Sequence, residues 1–190
     1  MGQAVVVKSN TQYVRNILKL YRSTPAETVK VGTDWYSRAR SIAAELTPND
    51  VRIGAGIIAA TSPLTPWKRN VELARKCVAE GGLNGGTLGN SLRAANRILN
   101  GEDPLDVLKG DKVRAFYAAI VGDGSIVTID RHAYAIAANK PFTKDVSIGK
   151  NLYREMNASY IRAAEIAKID VHALQAITWI EYRSRKGILD

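Results

Sequence analysis

The sequence predicts an all-α protein, and three observations carry that expectation. Apolar residues recur three and four positions apart along nearly the whole chain, the period of an amphipathic helix. The breaks between these runs hold the caps, prolines and glycines that helix ends require. Sustained alternation of period two is absent, and Val5 to Val7 and Ser125 to Ile129 are the only short β-like runs. Roughly nine or ten helices are expected from such runs.

The first helix is marked by Val14, Ile17, Leu18 and Tyr21. Ser23-Thr24-Pro25 then supplies caps and a proline suited to starting the next. Trp35, Ala39, Ile42, Ala43 and Leu46 form another stripe, and Thr47-Pro48-Asn49-Asp50 separates it from the next helix. Ser62-Pro63-Leu64-Thr65-Pro66 ends one helix and begins another, in which Val71, Ala74 and Val78 come after Trp67. Gly81 to Gly86 read as a connector: the lysine and Ser/Thr that complete a phosphate-cradling P-loop are missing, and no strand precedes it. Leu88, Leu92, Ala95 and Leu99 form the next stripe, with Gly101 placed as a C-cap glycine. A short helix ends at Leu108 and leads into the turn Lys109-Gly110-Asp111. A helix starts at Lys112, with Val113, Phe116, Tyr117 and Ile120 on one face. Asp130 stands at the mouth of another helix. Leu152, Met156, Tyr160, Ala163 and Ala167 mark a long helix, and Leu174, Ile177 and Ile180 the last.

Composition narrows the function. The 190 residues suffice for one large domain or two small lobes, and 46% hydrophobic with 24% charged residues argues against disorder. One cysteine, Cys77, rules out an internal disulfide, and with two histidines it also rules out a Cys-rich zinc site or a four-Cys iron–sulfur cluster. The apolar runs are too short to span a bilayer, the start MGQAVVVKSN is too short and polar for a signal peptide, and Val6 stands where a myristoylation site needs Ser or Thr. A soluble, cytoplasmic protein is expected. Its net charge of +9 points to an anionic partner, nucleic acid first.

Two stretches combine into a recognisable pattern. Leu108-Lys109-Gly110-Asp111-Lys112 and Ile129-Asp130-Arg131-His132 resemble the Leu-Pro-Gly-Val-Gly hairpin and the Val-Asp-x-His element of the helix-hairpin-helix DNA glycosylase superfamily, which includes endonuclease III and the oxoguanine glycosylases; Gly110 and Asp130 lie twenty positions apart. Upstream, Gly56 to Thr65 is similar to that family's helix ending in a Leu-Ser-x-Gln-Thr type loop. The resemblance covers roughly residues 46 to 138, with the motifs in the family's order. It departs from the family where Lys109 replaces the hairpin proline and Lys112 its second glycine.

The residues have readings of their own. A hairpin between two helices presents backbone N–H groups near a helix start, a concavity that binds phosphate; the alternative is a plain turn with Gly110 at positive φ. A carboxylate at Asp130, favoured by helix-terminal N–H groups, suits stabilisation of an oxocarbenium-like sugar or the orientation of water; alternatively it is only a cap. Leu64, at the tip of its loop, is placed to wedge into a base stack, or else folds back onto Trp67. Thr65, Lys68, Arg69, Lys109, Gly110, Arg114 and Arg131 are candidate DNA contacts. His132 either contacts phosphate or lines a pocket, or is a satisfied histidine. Gln175 and Trp179 are candidates for the hydrogen-bonding edge and wall of a base pocket, against a core role.

The resemblance implies two helical lobes with a central cleft: residues 46–138 carrying the loop, the hairpin and Asp130, and residues 1–45 with 139–190 forming the other. It implies a monomeric DNA N-glycosylase that binds double-stranded DNA, flips a damaged or modified base and cleaves its glycosidic bond. The iron–sulfur extension of endonuclease III is missing. In strand-cleaving relatives a lysine beside the hairpin attacks the sugar; Arg114 stands there instead and cannot, and Lys112 is the nearest amine, so water as nucleophile is expected. No cofactor is implied, and a monovalent cation at the hairpin is the one ion the pattern admits. Location with the nucleoid, or in a host cytoplasm, agrees with that role. Three alternatives stand beside it: base hypermodification on the same fold, as in bacteriophage-encoded relatives; a non-catalytic DNA-binding protein; and a helical protein-interaction domain.

Overall fold

The computed structural model describes residues 8–124, 126–143 and 146–188, and among these it holds eleven helices and no strand. They are α1 (Thr11–Arg22), α2 (Ala26–Thr33), α3 (Trp35–Leu46), α4 (Val51–Thr61), α5 (Trp67–Ala79), α6 (Gly89–Leu99), α7 (Pro104–Val107), α8 (Asp111–Val121), α9 (Arg131–Ala138), α10 (Lys150–Ala167) and α11 (Val171–Arg185). Each break expected from the sequence opens one of them, so the rough count of nine or ten falls just short; α2 has only eight residues and α7 is a single turn. Neither is long enough to display a helical period.

Val5 to Val7 and Ser125 lie outside the described residues. Ile126 to Ile129 forms no strand among the described residues. Side chains of α10 take the place of a partner. The Val127 N–H donates to Asn157 Oδ1 at 2.8 Å, and the Tyr153 hydroxyl donates to the Val127 carbonyl at 2.7 Å and accepts the Ile129 N–H at 3.3 Å. Val127, Thr128 and Ile129 are buried, so their backbone groups need such partners, and the run reads as a strand without belonging to a sheet.

Two compact units divide the chain. Among the described residues a terminal unit combines those from Lys8 to Trp35 with those from Ile126 to Ile188, and an inserted unit holds residues 36–124. These boundaries fall earlier than the expected 46 and 138. The α3 residues after Trp35 join the inserted unit: Ala39 and Ala43 are fully buried, and the Tyr36 ring meets Phe116 edge-on at 6.3 Å. Asp130 and α9 belong to the terminal unit, where α9 packs on α1 and α11.

In the terminal unit α1 lies against α9, α10 and α11, and α11 against α2. The α2–α11 crossing depends on Gly32. A Cβ there would lie 2.5 Å from Ile177 Cγ1 and 2.6 Å from its Cα. In the inserted unit α4 is central, packed against α5, α6, α7 and α8. From Gly54 to Thr61 every α4 residue is buried, as an all-round small and apolar helix should be. Thr61 closes α4 by donating to Asn70 Oδ1 at 2.5 Å, while the Asn70 amide donates to the Ile58 carbonyl, which ties α5 to the end of α4.

The α6 stripe is displaced from the leucines. Its buried face is Ser91, Ala95 and Ile98; Leu88 is half exposed, and Leu92 and Leu99 lie at the margin. A serine at a core position masks the true period.

Burial of Tyr160 in the terminal unit has a measurable consequence. Its side chain is fully buried, and burial pushes the phenol above its ordinary value near 10.0. The native state therefore keeps a proton that the unfolded chain releases. Stability is complete below about pH 10 and falls as pH rises further, at up to about 1.4 kcal/mol per unit for this group. Urea melts between pH 8 and 12 should show that decline, and Tyr160→Phe should flatten it.

Among the described residues no helix is long and apolar enough to cross a membrane.

Candidate functional site

The candidates divide between the two units. In the terminal unit, Asp130 N-caps α9. Its Oδ1 accepts the N–H groups of His132 at 2.9 Å and Ala133 at 2.8 Å. A second aspartate serves as an internal comparison. Asp170 caps α11 through the same Asp-x-His-Ala pattern, accepting from His172 and Ala173 at 2.9 Å. Capping alone therefore does not set Asp130 apart. The difference is its other oxygen: the Trp179 indole N–H donates to Asp130 Oδ2 at 2.9 Å, from 49 positions away in sequence.

Aromatic rings gather around this bond. His132 meets Trp179 edge-on with ring centroids 6.1 Å apart, and Tyr182 at 5.8 Å. Trp35 lies 6.5 Å from Trp179. The Arg183 guanidinium sits over the Trp179 ring, 4.3 Å from its centroid. A carboxylate has about four acceptor positions, and three are filled here; the fourth, on Oδ2, can face a ligand or water. The cluster thus holds a half-buried carboxylate in fixed orientation among aromatic walls.

Of the predicted pocket residues, Trp179 is at this centre, but one face of its ring already carries Arg183. Gln175 is buried in the packing of α11, one turn before Trp179. Arg131 is exposed at the first position of α9. Trp35, Tyr182 and Arg183 complete the cluster. Their residue types were visible in sequence, but their convergence on Asp130 was not.

In the inserted unit, the Ser62–Pro66 loop makes a turn closed by the Thr65 N–H donating to the Ser62 carbonyl at 3.2 Å. Leu64 sits at its tip with φ 58° and is 84% exposed. It does not fold back onto Trp67. A left-handed backbone at a leucine costs about 1 kcal/mol, and an exposed apolar side chain returns nothing for it in folding. Thr65 is half-buried, its hydroxyl donating to the Pro63 carbonyl; Lys68 is exposed, and Arg69 pairs with Glu72 at 3.4 Å.

Between α7 and α8 the chain turns at Gly110, which has φ 85° and is the N-cap of α8, as a plain turn also would; α8 begins at Asp111, one residue earlier than expected. Arg114 is turned back on the hairpin. Its Nε donates to the Leu108 carbonyl at 2.8 Å and its Nη2 to the Leu105 carbonyl at 2.6 Å. It holds the turn's orphan carbonyls rather than projecting outward. Lys109 reaches the Asp106 carbonyl at 2.8 Å, and Lys112 is exposed on the first turn of α8.

The loop and the hairpin border one hollow of about 420 Å³. Pro63 of the loop, Ser91, Arg93 and Arg97 of α6, and Leu108 and Lys109 of the hairpin line it, and no acidic residue does. Sequence reasoning missed the α6 contribution. Its one signal was the run of Arg93 and Arg97 one turn apart, behind a helix start with no acidic residue.

No curated protein and no solved structure matches the chain. A family described only as of unknown function matches residues 3–186, all but a few terminal positions. The chain therefore belongs to the family of unknown function DUF7178.

Proposed function

We propose that the protein is a DNA base-excision enzyme of the monofunctional N-glycosylase type, with Asp130 as the charged group that stabilises the sugar as the glycosidic bond breaks. The observation that carries this reading is the Trp179–Asp130 bond. It adds to a helix cap a second restraint that capping does not need, and it fixes the carboxylate while leaving one acceptor position open. Leu64 supports the DNA partner: it is an apolar wedge, exposed and held in an unfavourable backbone conformation, beside a hollow rimmed only by basic charge. The hairpin N–H groups and Lys109, Lys112 and Lys68 would supply salt-dependent grip on the phosphates.

A panel of duplexes carrying damaged and naturally modified bases, scored for alkali-revealed abasic sites, tests this. Release of at least one base is expected. Leu64→Gly should melt no lower than wild type, since glycine suits the backbone there. It should also release a paired base at least about tenfold more slowly, because extrusion costs a few kcal/mol that the wedge offsets. Its rate on single strands should be unchanged.

A non-catalytic DNA-binding protein is the second reading. It is favoured by the three filled acceptor positions of Asp130 and by the Arg183 cation over Trp179. Duplex binding without release of any base in the panel would select it.

A further inference from the structure

We propose that the hollow at the start of α6 is a binding site for a phosphate group. The proposal stands on the hollow itself and does not depend on base excision.

The first turn of α6 leaves N–H groups without intrahelical acceptors, as every helix does. Leu88 occupies the N-cap and offers no side-chain acceptor, and no acidic residue lies in the first turn. That alone makes no site. The second observation is Ser91. It lines the hollow and is only 5% exposed, yet its hydroxyl makes no hydrogen bond to any described residue. A serine in a helix ordinarily satisfies itself on a carbonyl one turn back or points to water. An oxyanion in the hollow would accept from the Ser91 hydroxyl.

The charges around it agree. Arg93 and Arg97 line the hollow from the same helix, and Lys109 lines it from the hairpin. Arg97 is partly spent on an ion pair with Glu102, which holds that carboxyl below the usual carboxylate range. Among the described residues Arg93 bonds only Asn90 in its own turn and keeps donors to offer. A helix start, a buried hydroxyl and a guanidinium together form the donor set that suits a tetrahedral, multiply charged oxyanion. Apolar walls from Ala60, Val107 and Leu108 leave room for more than the phosphate itself, so the ligand is a phosphate ester.

Titration of the full-length protein followed by amide NMR tests the site. The probes are inorganic phosphate, thymidine 5′-monophosphate and the dinucleoside phosphate TpT, each at constant ionic strength against chloride. Phosphate should shift the Gly89, Asn90 and Ser91 amides, and Arg93→Ala should weaken binding by about fivefold or more. Ser91→Asp places a carboxylate on the same donors. It should abolish phosphate binding and raise the melting temperature, as an anion near a helix start does. Tighter binding of the monophosphate assigns the site to a terminal phosphate, and tighter binding of TpT to a backbone diester. Shifts absent from the first turn of α6, shifts equal to those in chloride, or unchanged phosphate binding by Ser91→Asp would each overturn the proposal.

Discussion

Asp130→Asn is expected to fold, bind duplex DNA within about twofold of wild type, and lose base release by a factor of about a thousand or more. Asparagine caps a helix nearly as well as aspartate, so the bonds from His132 and Ala133 to Oδ1 have a replacement; its Nδ2 cannot accept the Trp179 N–H, and loss of that bond costs about 1 kcal/mol. What disappears is the negative charge that an oxocarbenium-like sugar requires. Asp170→Asn is the matched control, because Asp170 makes the same two cap bonds on α11. Asp130→Asn should melt slightly below Asp170→Asn, because only Asp130 also accepts the Trp179 N–H, and the two should differ far more in turnover. Equal turnover in both, measured on any released base, would reduce Asp130 to a cap and leave the DNA-binding reading in its place.

Gly32→Ala should be the most destabilising single methyl in the terminal unit. The added Cβ would meet not a flexible side-chain tip but the Ile177 backbone, 2.6 Å from Cα and 2.8 Å from N. Relief requires α2 and α11 to separate. Overpacking of this kind costs about 3 kcal/mol, more than the roughly 1 kcal/mol that alanine gains over glycine inside a helix. For a chain of this size the melting temperature should fall by about 4–10 °C. Gly85→Ala, whose Cβ would meet nothing within 4 Å, should change stability by less than about 0.5 kcal/mol. Because α11 also carries Trp179, Gly32→Ala should impair Asp130-dependent turnover as well, although neither Trp179 nor Asp130 lies on α2. Calorimetry of both variants, with the turnover assay, checks each part.

Local features of the fold were readable in the sequence because they are locally determined. Asp130, Gly110 and Gly101 each announce a helix end through chemistry that acts within a turn, and each does so in the structure. Long-range partners were not readable. Nothing in the sequence around Trp179 indicates that its indole finds a carboxylate 49 positions away. Arg114 looked like a phosphate contact because basic residues beside a hairpin usually face solvent, but unsatisfied carbonyls at the end of α7 were nearer. Ser91 was hidden by the leucines of α6, since a periodicity count assumes that polar residues face water. Tyr153 and Asn157 were missed for a similar reason: they flank the apolar stripe of α10 and serve a backbone segment rather than the core.

The insertion of one unit within the other also bears on the order of folding. On the ribosome, residues 36–124 are complete before α9 exists, whereas α1 waits for α9, α10 and α11 before it has anything to pack against. Joining α1 to those partners means closing a loop of some ninety residues, with an entropic cost that grows with its length. The inserted unit shortens that loop. The Tyr36 ring meets Phe116 edge-on, and the Arg40 guanidinium donates to the Val121 carbonyl, so side chains of α3 tie it to the last helix of the unit. The α3–α8 contact then acts as a clasp that turns a slow, long-range search into a short one.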